Sequence, residues 1–177
     1  MKIALYFDSV LSDTMTLWVA KYNEKYNKKH TKANVTKWEF WDDFGISLEE
    51  AKSIFRITWE DWENLCPTEK DLSKTTYQLN NIAQVDIVTS VEKTHENYVK
   101  KWLEKHNITY KDIVITNHDK HEHDYDIFID DDPKLPGKVK SRCFVYHQEW
   151  NRDVVGGNVE RINELKHVLD KLNKKDL

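Results

Sequence analysis

The stretch Ile127-Phe128-Ile129-Asp130-Asp131-Asp132-Pro133 is an apolar run that stops abruptly in three carboxylates and a proline. A short continuous apolar run of this kind suits a strand buried on both faces, as in a parallel sheet. The chain opens in the same way: Ile3-Ala4-Leu5-Tyr6-Phe7 runs straight into Asp8. Between these two lie Val85-Asp86-Ile87-Val88-Thr89-Ser90, an apolar strand ending in hydroxyls, and Ile113-Val114-Ile115-Thr116. Cys143 to Tyr146 is a fifth such run. Asp8, Thr89 with Ser90, and Asp130 with Asp131 would all sit at one rim, because ligands of open α/β sheets bind beyond the carboxyl ends of the strands.

Helical spacing fills the gaps between strands. Met15, Trp18, Val19, Tyr22 and Tyr26 recur at three and four residues, the period of a helix with one apolar face. Ser47 followed by Glu50 has the form of a capping box. The helix it opens would carry Leu48, Ala51, Phe55, Trp59 and Trp62 on one face until Pro67 interrupts it. A polar helix follows Thr68, another carries Tyr98, Val99, Trp102 and Leu103, and a last one carries Val159, Ile162, Leu165, Leu169 and Leu172. Strands alternating with helices predict a doubly wound α/β fold. Residues 1–27 and 68–177 form the expected core domain. Residues 28–67 form an inserted helical cap over the rim.

Composition narrows the function. The chain has 177 residues, enough for one packed domain with a modest insertion. Four glycines and three prolines argue against a low-complexity chain. A formal net charge of −4 with interleaved signs leaves no basic stripe, so no polynucleotide partner is expected. Cys66 and Cys143 stand far apart, giving neither a disulfide framework nor zinc spacing. The opening apolar run is too short for a signal peptide or a membrane span, and the expected location is cytoplasmic.

The rim residues have the right chemistry for phosphoryl transfer. Carboxylates such as Asp130 and Asp131, with Asp8 opposite, are what Mg²⁺ prefers. A hydroxyl at Thr89 and the ammonium of Lys120 would hold phosphate oxygens. Taken singly, each has a plainer role: an Asp after a strand is commonly a turn residue, a Thr-Ser pair a helix cap, and a lysine a solvated charge. Order and strand-end placement together carry the functional reading.

Those residues, in that order, resemble the HAD superfamily and, within it, the 5'(3')-deoxyribonucleotidases. That family opens with Asp-x-Asp-Gly-Val-Leu-Ala-Asp; the matching stretch is Tyr6-Phe7-Asp8-Ser9-Val10-Leu11-Ser12-Asp13. Thr89 with Ser90, Lys120, and Ile129-Asp130-Asp131-Asp132-Pro133 match its later motifs, as do Trp150-Asn151-Arg152 and an Arg161 opening the terminal helix. The resemblance implies a HAD-like Rossmannoid core with a small cap. It implies Mg²⁺-dependent hydrolysis of a nucleotide or other small phosphate monoester. Asp8 would be the acid/base. Thr89, Ser90 and Lys120 would bind phosphate, and Asp130, Asp131 and the Asp8 position would hold the metal. Phe40 and Trp41 of the aromatic cap would face the base.

The departure is Tyr6. It stands where the family has the aspartate that is both nucleophile and metal ligand. A phenol, with a reference pKa of about 10, is a poor replacement for either. Shifting the register so that Asp8 becomes the nucleophile puts Val10 at the acid/base position and loses the match of Val10 to Asp13. The rival reading is therefore a non-catalytic nucleotide- or phosphate-binding protein on the same fold. His118, His121 and His123 have spacing that could suit a transition metal; a solvated loop before the fourth strand is the preferred reading. The run from Lys171 to Leu177 reads as a fraying helix end.

Overall fold

The computed structural model describes residues 1–117 and 119–173. His118 and the last four residues of the Lys171–Leu177 run lie outside them. Six strands form one sheet in the order β3-β2-β1-β4-β5-β6. They are β1 (Lys2–Tyr6), β2 (Gln84–Thr89), β3 (Ile113–Ile115), β4 (Ile127–Asp130), β5 (Arg142–Tyr146) and β6 (Val159–Ile162). Every pairing is parallel. The two central strands, β1 and β4, pair Ile3 with Ile127 and Leu5 with Ile129. Ile3, Leu5, Ile87, Ile129 and Phe144 are fully buried, which is why these strands are apolar at successive positions rather than alternating. Helices α1 (Thr14–Tyr26), α2 (Leu48–Glu60), α3 (Leu72–Ile82), α4 (Glu96–Lys105) and α5 (Lys166–Asn173) join or follow them.

Two expectations are corrected. Val159 and Ile162 are in a sixth strand, and α5 begins only at Lys166. A three-residue apolar spacing fits a helix or the two ends of a short strand equally well. The open edge of β5 decides the matter, accepting β6 in register from Cys143↔Val159 to Tyr146↔Ile162. Arg161 therefore opens no helix. From β6 its guanidinium donates to Asn151 Oδ1 (2.9 Å) and to the carbonyls of Asn151, Arg152 and Val154. The second correction concerns α2. Ser47 caps it as expected, accepting from Glu50 N at 3.2 Å while Glu50 accepts from Ser47 N at 2.9 Å. Its buried face, however, is Ala51, Ile54 and Thr58. Leu48 is 42% exposed, and Trp62 lies past the helix in a 3-10 turn.

The buried side chains divide into two clusters. One surrounds the sheet and includes Trp102, whose indole donates to Leu65 O at 2.7 Å. The other is built on aromatic rings: Trp18, Tyr22, Phe40 and Phe44, with Met15, Val19, Ala51, Ile54 and Trp150. It unites α1 and α2 with the 3-10 turn at Phe40–Asp42. The chain leaves and re-enters the core side by side. Asp13 N donates to Cys66 O at 2.8 Å and Thr68 N to Leu11 O at 2.9 Å.

Candidate active site

The turn after β1 fixes the geometry. Leu11 N and Ser12 N both donate to Phe7 O at 3.0 Å, and Ser9 N donates to Ser12 O at 2.8 Å. Closing this turn places Ser9 at φ 63°, a left-handed conformation that costs an L-residue roughly 1–2 kcal/mol and that glycine adopts freely. Gln148 Nε2 donates to Ser9 O at 2.8 Å and ties the turn to the far side of the rim. The turn thus keeps its shape with serine where the resembling family has glycine.

Asp8 projects from this turn and is surrounded by donors. Its Oδ1 accepts from Thr14 Oγ1 (2.9 Å) and from the indole of Trp59 on α2 (2.8 Å). Its Oδ2 accepts from Thr89 Oγ1 at 3.3 Å. Burial pushes the Asp8 carboxyl above its ordinary value, against the pull of these three donors and of Lys120. Helix α2 therefore reaches the rim directly, through one indole.

Tyr6 and Lys120 occupy each other. The Tyr6 hydroxyl lies 2.7 Å from Ser90 Oγ. The Lys120 ammonium sits 3.9 Å from the centroid of the Tyr6 ring, a close cation–π contact. Burial carries the phenol well above its usual range, so it is neutral and no nucleophile near neutral pH. Lys120, almost fully enclosed, lies 2.9 Å from Asp130 Oδ1, 2.8 Å from Asp130 Oδ2 and 3.4 Å from Asp132 Oδ2. Burial opposes its charge, but the Asp130 carboxylate, helped by Asp132, outweighs that, so it stays an ammonium.

Asp131 is held from the 3-10 turn after β5. Its Oδ2 accepts from Trp150 Nε1 at 3.0 Å, and its backbone carbonyl accepts from Asn151 Nδ2 at 2.9 Å. Its Oδ1 is buried without a partner among the described residues. Burial, followed by the neighbouring Asp130 charge, pushes this carboxyl well up.

The structure brings Tyr6, Asp8, Thr89, Ser90, Lys120, Asp130 and Asp131 to one rim. It does not bring Phe40 there: that ring is enclosed against Trp18 (4.8 Å) and Phe44 (5.6 Å). Trp41 is half-buried, 6.0 Å from Phe40. The α2 residue that does reach the rim is Trp59, and Thr14, Gln148 and Trp150 join it. No local signal in the sequence marks Trp59 for this task, because it lies 51 residues from Asp8.

These residues fit Mg²⁺ poorly. Both oxygens of Asp130 are engaged by Lys120, a phenol stands in the place of a carboxylate, and one oxygen of Asp131 holds an indole. Among the described residues no three acidic, His or Cys side chains gather as a metal site. His121 and His123 belong to none either; His121 lies in a 3-10 turn with Lys120.

The family model for 5' nucleotidase, deoxy (pyrimidine), cytosolic type C protein matches residues 1–175. No curated protein matches the chain by sequence. Among solved structures the chain is similar to Protein Tyrosine Kinase A of Mycobacterium tuberculosis, at 12% identity and a TM-score of 0.66 over 97% of each chain. It is similar to a haloacid dehalogenase-like hydrolase of Streptococcus pneumoniae, at 14% identity and a TM-score of 0.66, again over 97% of each chain. It is also similar to the HAD-hydrolase YfnB of Bacillus subtilis, described bound to magnesium, at 11% identity and a TM-score of 0.61 over 97% of this chain and 98% of that one. These likenesses show the HAD fold. No helix among the described residues is long and apolar enough to cross a membrane.

Proposed function

Since the chain belongs to the 5' nucleotidase, deoxy (pyrimidine), cytosolic type C family, we propose that it takes a nucleoside monophosphate, or a smaller phosphate monoester, between cap and sheet rim and hydrolyses it slowly or not at all. The observation that carries this is the Tyr6–Lys120–Asp130 arrangement. A neutral phenol fills the nucleophile's position, and the cation that would steady a phosphate is held by a carboxylate. Phosphoryl transfer depends mostly on positioning and charge stabilisation, and here those charges are spent on one another. The parts that support binding are Thr89 and Ser90 at the end of β2, beside the aromatic cap. The protein's expected place is the cytoplasm, with no polynucleotide partner.

In the parent chemistry, an aspartate at position 6 would attack phosphorus while Asp8 protonates the leaving oxygen. Asp8 is still set for that proton. Its carboxyl is held above the ordinary range, and Thr14, Trp59 and Thr89 fix its orientation.

The test compares the unchanged chain, Tyr6→Asp, and Tyr6→Asp with Asp8→Asn on a panel of deoxynucleoside monophosphates, with and without Mg²⁺. We expect almost no turnover from the first, a gain of at least ~100-fold from the second, and loss of most of it from the third. Equal turnover by the unchanged chain and Tyr6→Asp would overturn the proposal. A second reading has Asp8 itself as a slow nucleophile. It is favoured by Asp8 being a more accessible rim carboxylate than Asp130 or Asp131. Trapping a phosphoenzyme on Asp8 would establish it.

A further inference from the structure

We infer that the Lys120 ammonium is the resident cation of this rim, standing in for a divalent metal, so that the protein folds and holds its rim without one. Two carboxylates and a ring enclose the ammonium. It is almost fully buried and contacts both oxygens of Asp130, at 2.9 and 2.8 Å, with Asp132 at 3.4 Å. The Tyr6 ring closes the remaining side at 3.9 Å, offering a π-face that suits an ammonium and binds a hydrated divalent ion poorly. Asp132 is itself locked into this geometry, its N–H donating to Asp130 Oδ1 at 3.0 Å. An ammonium carries its three donors to fixed acceptors and brings no water of its own. A buried carboxylate needs a paired charge of some kind, and Lys120 supplies it from within the chain.

Lys120 matches a family motif, so what differs here is position 6, where a ring stands in place of a carboxylate. A carboxylate at position 6 would compete with Asp130 for the ammonium. A phenyl ring leaves the ammonium to Asp130 and covers it. This inference stands apart from the question of turnover: it concerns which cation neutralises Asp130 and Asp132, whether or not a phosphate ester is cleaved.

Mn²⁺, followed by its free-ion paramagnetic resonance signal, is the direct probe, and the thermal unfolding midpoint is the second readout. For the unchanged chain we expect no loss of free Mn²⁺ signal and no midpoint shift with Mn²⁺, Mg²⁺ or a chelator. A saturable one-to-one uptake of Mn²⁺ overturns the inference. Lys120→Met keeps the length of the side chain and removes its charge. That variant should take up Mn²⁺ at least ~10-fold more tightly than the unchanged chain and rise in midpoint when it does. A folded Lys120→Met that ignores Mn²⁺ shows that something other than Lys120 keeps metal out, and the inference fails. If Lys120→Met is unfolded in buffer, recovery of its fold on adding Mn²⁺ supports the inference, and failure to recover refutes it. Hydrolysis is not measured in any arm, so a failure here leaves the proposed function to its own assay.

Discussion

The cluster around the sheet and the aromatic cluster on α1 and α2 are packed by different means. In the core, aliphatic side chains of six parallel strands meet residues distant in sequence; Ile3 lies against Ile127 and Leu5 against Ile129. In the aromatic cluster, Trp18 of α1 is ringed by residues from a short span: Tyr22 at 5.6 Å, Phe40 at 4.8 Å, Phe44 at 5.6 Å and Phe55 at 5.8 Å. The two meet through polar threads, among them Trp59 to Asp8, Trp150 to Asp131 and Arg56 to Glu92 at 2.6 Å, and through apolar packing, with Leu17, Trp59 and Trp62 lying against the sheet cluster. Clusters of different make need not open at the same free energy, and the two can be compared by truncating one ring in each.

The strongest test of this contrast is a matched pair of truncations. Trp18 and Trp102 are both fully buried, one in each cluster. Each alanine substitution should cost about 3–5 kcal/mol. For Trp102→Ala the urea midpoint should fall with the slope unchanged. For Trp18→Ala the slope should fall as well, since a cap already loosened in the native state leaves less surface to expose. Equal slopes would mean that core and cap unfold as one body.

A smaller effect probes the thread itself. Trp59→Phe keeps the ring that stacks on Phe55 at 5.6 Å and removes the N–H that reaches Asp8. A loss of about 1 kcal/mol is expected, together with faster hydrogen exchange in α2 and little change in the sheet. Faster exchange across β1 and β4 as well would show that Asp8 holds the core through this bond.

The smallest expected effect is confined to the sheet. Glu160 on β6 is paired with Arg142 on β5 and with Lys171 at 2.9 Å. The Arg142 hydrogen bond, opposed by burial and helped by Lys171, brings the Glu160 carboxyl down from 4.5 to about 2. A depressed carboxylate contributes stability that is complete above its unfolded value and is lost as pH falls through its folded value. The contribution should thus fade between pH 4.5 and about 2. Because Glu160 is about one-third exposed, it is a modest one. Glu160→Gln should flatten the acid limb of a stability–pH curve for the sheet and leave the cap's fluorescence transition where it was. A shift of the cap transition would mean that the β5–β6 edge is coupled to it.

Much of this was legible in the sequence, since burial on both faces writes itself into consecutive apolar residues. β1, β2 and β4, the polar groups at their ends, and the capping box at Ser47 follow from local pattern alone. β6 does not, because Val159 and Ile162 have a spacing common to helix and strand, and only the free edge of β5 chooses between them. The placement of Phe40 in the cap interior and of Trp59 on the rim is likewise invisible along the chain. Where Trp18, Trp38, Trp41 and Trp150 gather among other rings, which ring faces outward depends on how α1 and α2 cross.

The sequence by itself determined that a tyrosine stands where the family's aspartate belongs, and that acidic residues end the strand beside it. Only the tertiary structure decided what those residues do to one another. Position 6 and position 130 are neighbours because β1 and β4 pair in the sheet, and Lys120 reaches both from the turn before β4. Coulombic and cation–π contacts depend on separations of a few ångströms. Such separations between residues more than a hundred positions apart are fixed by strand register and by nothing local.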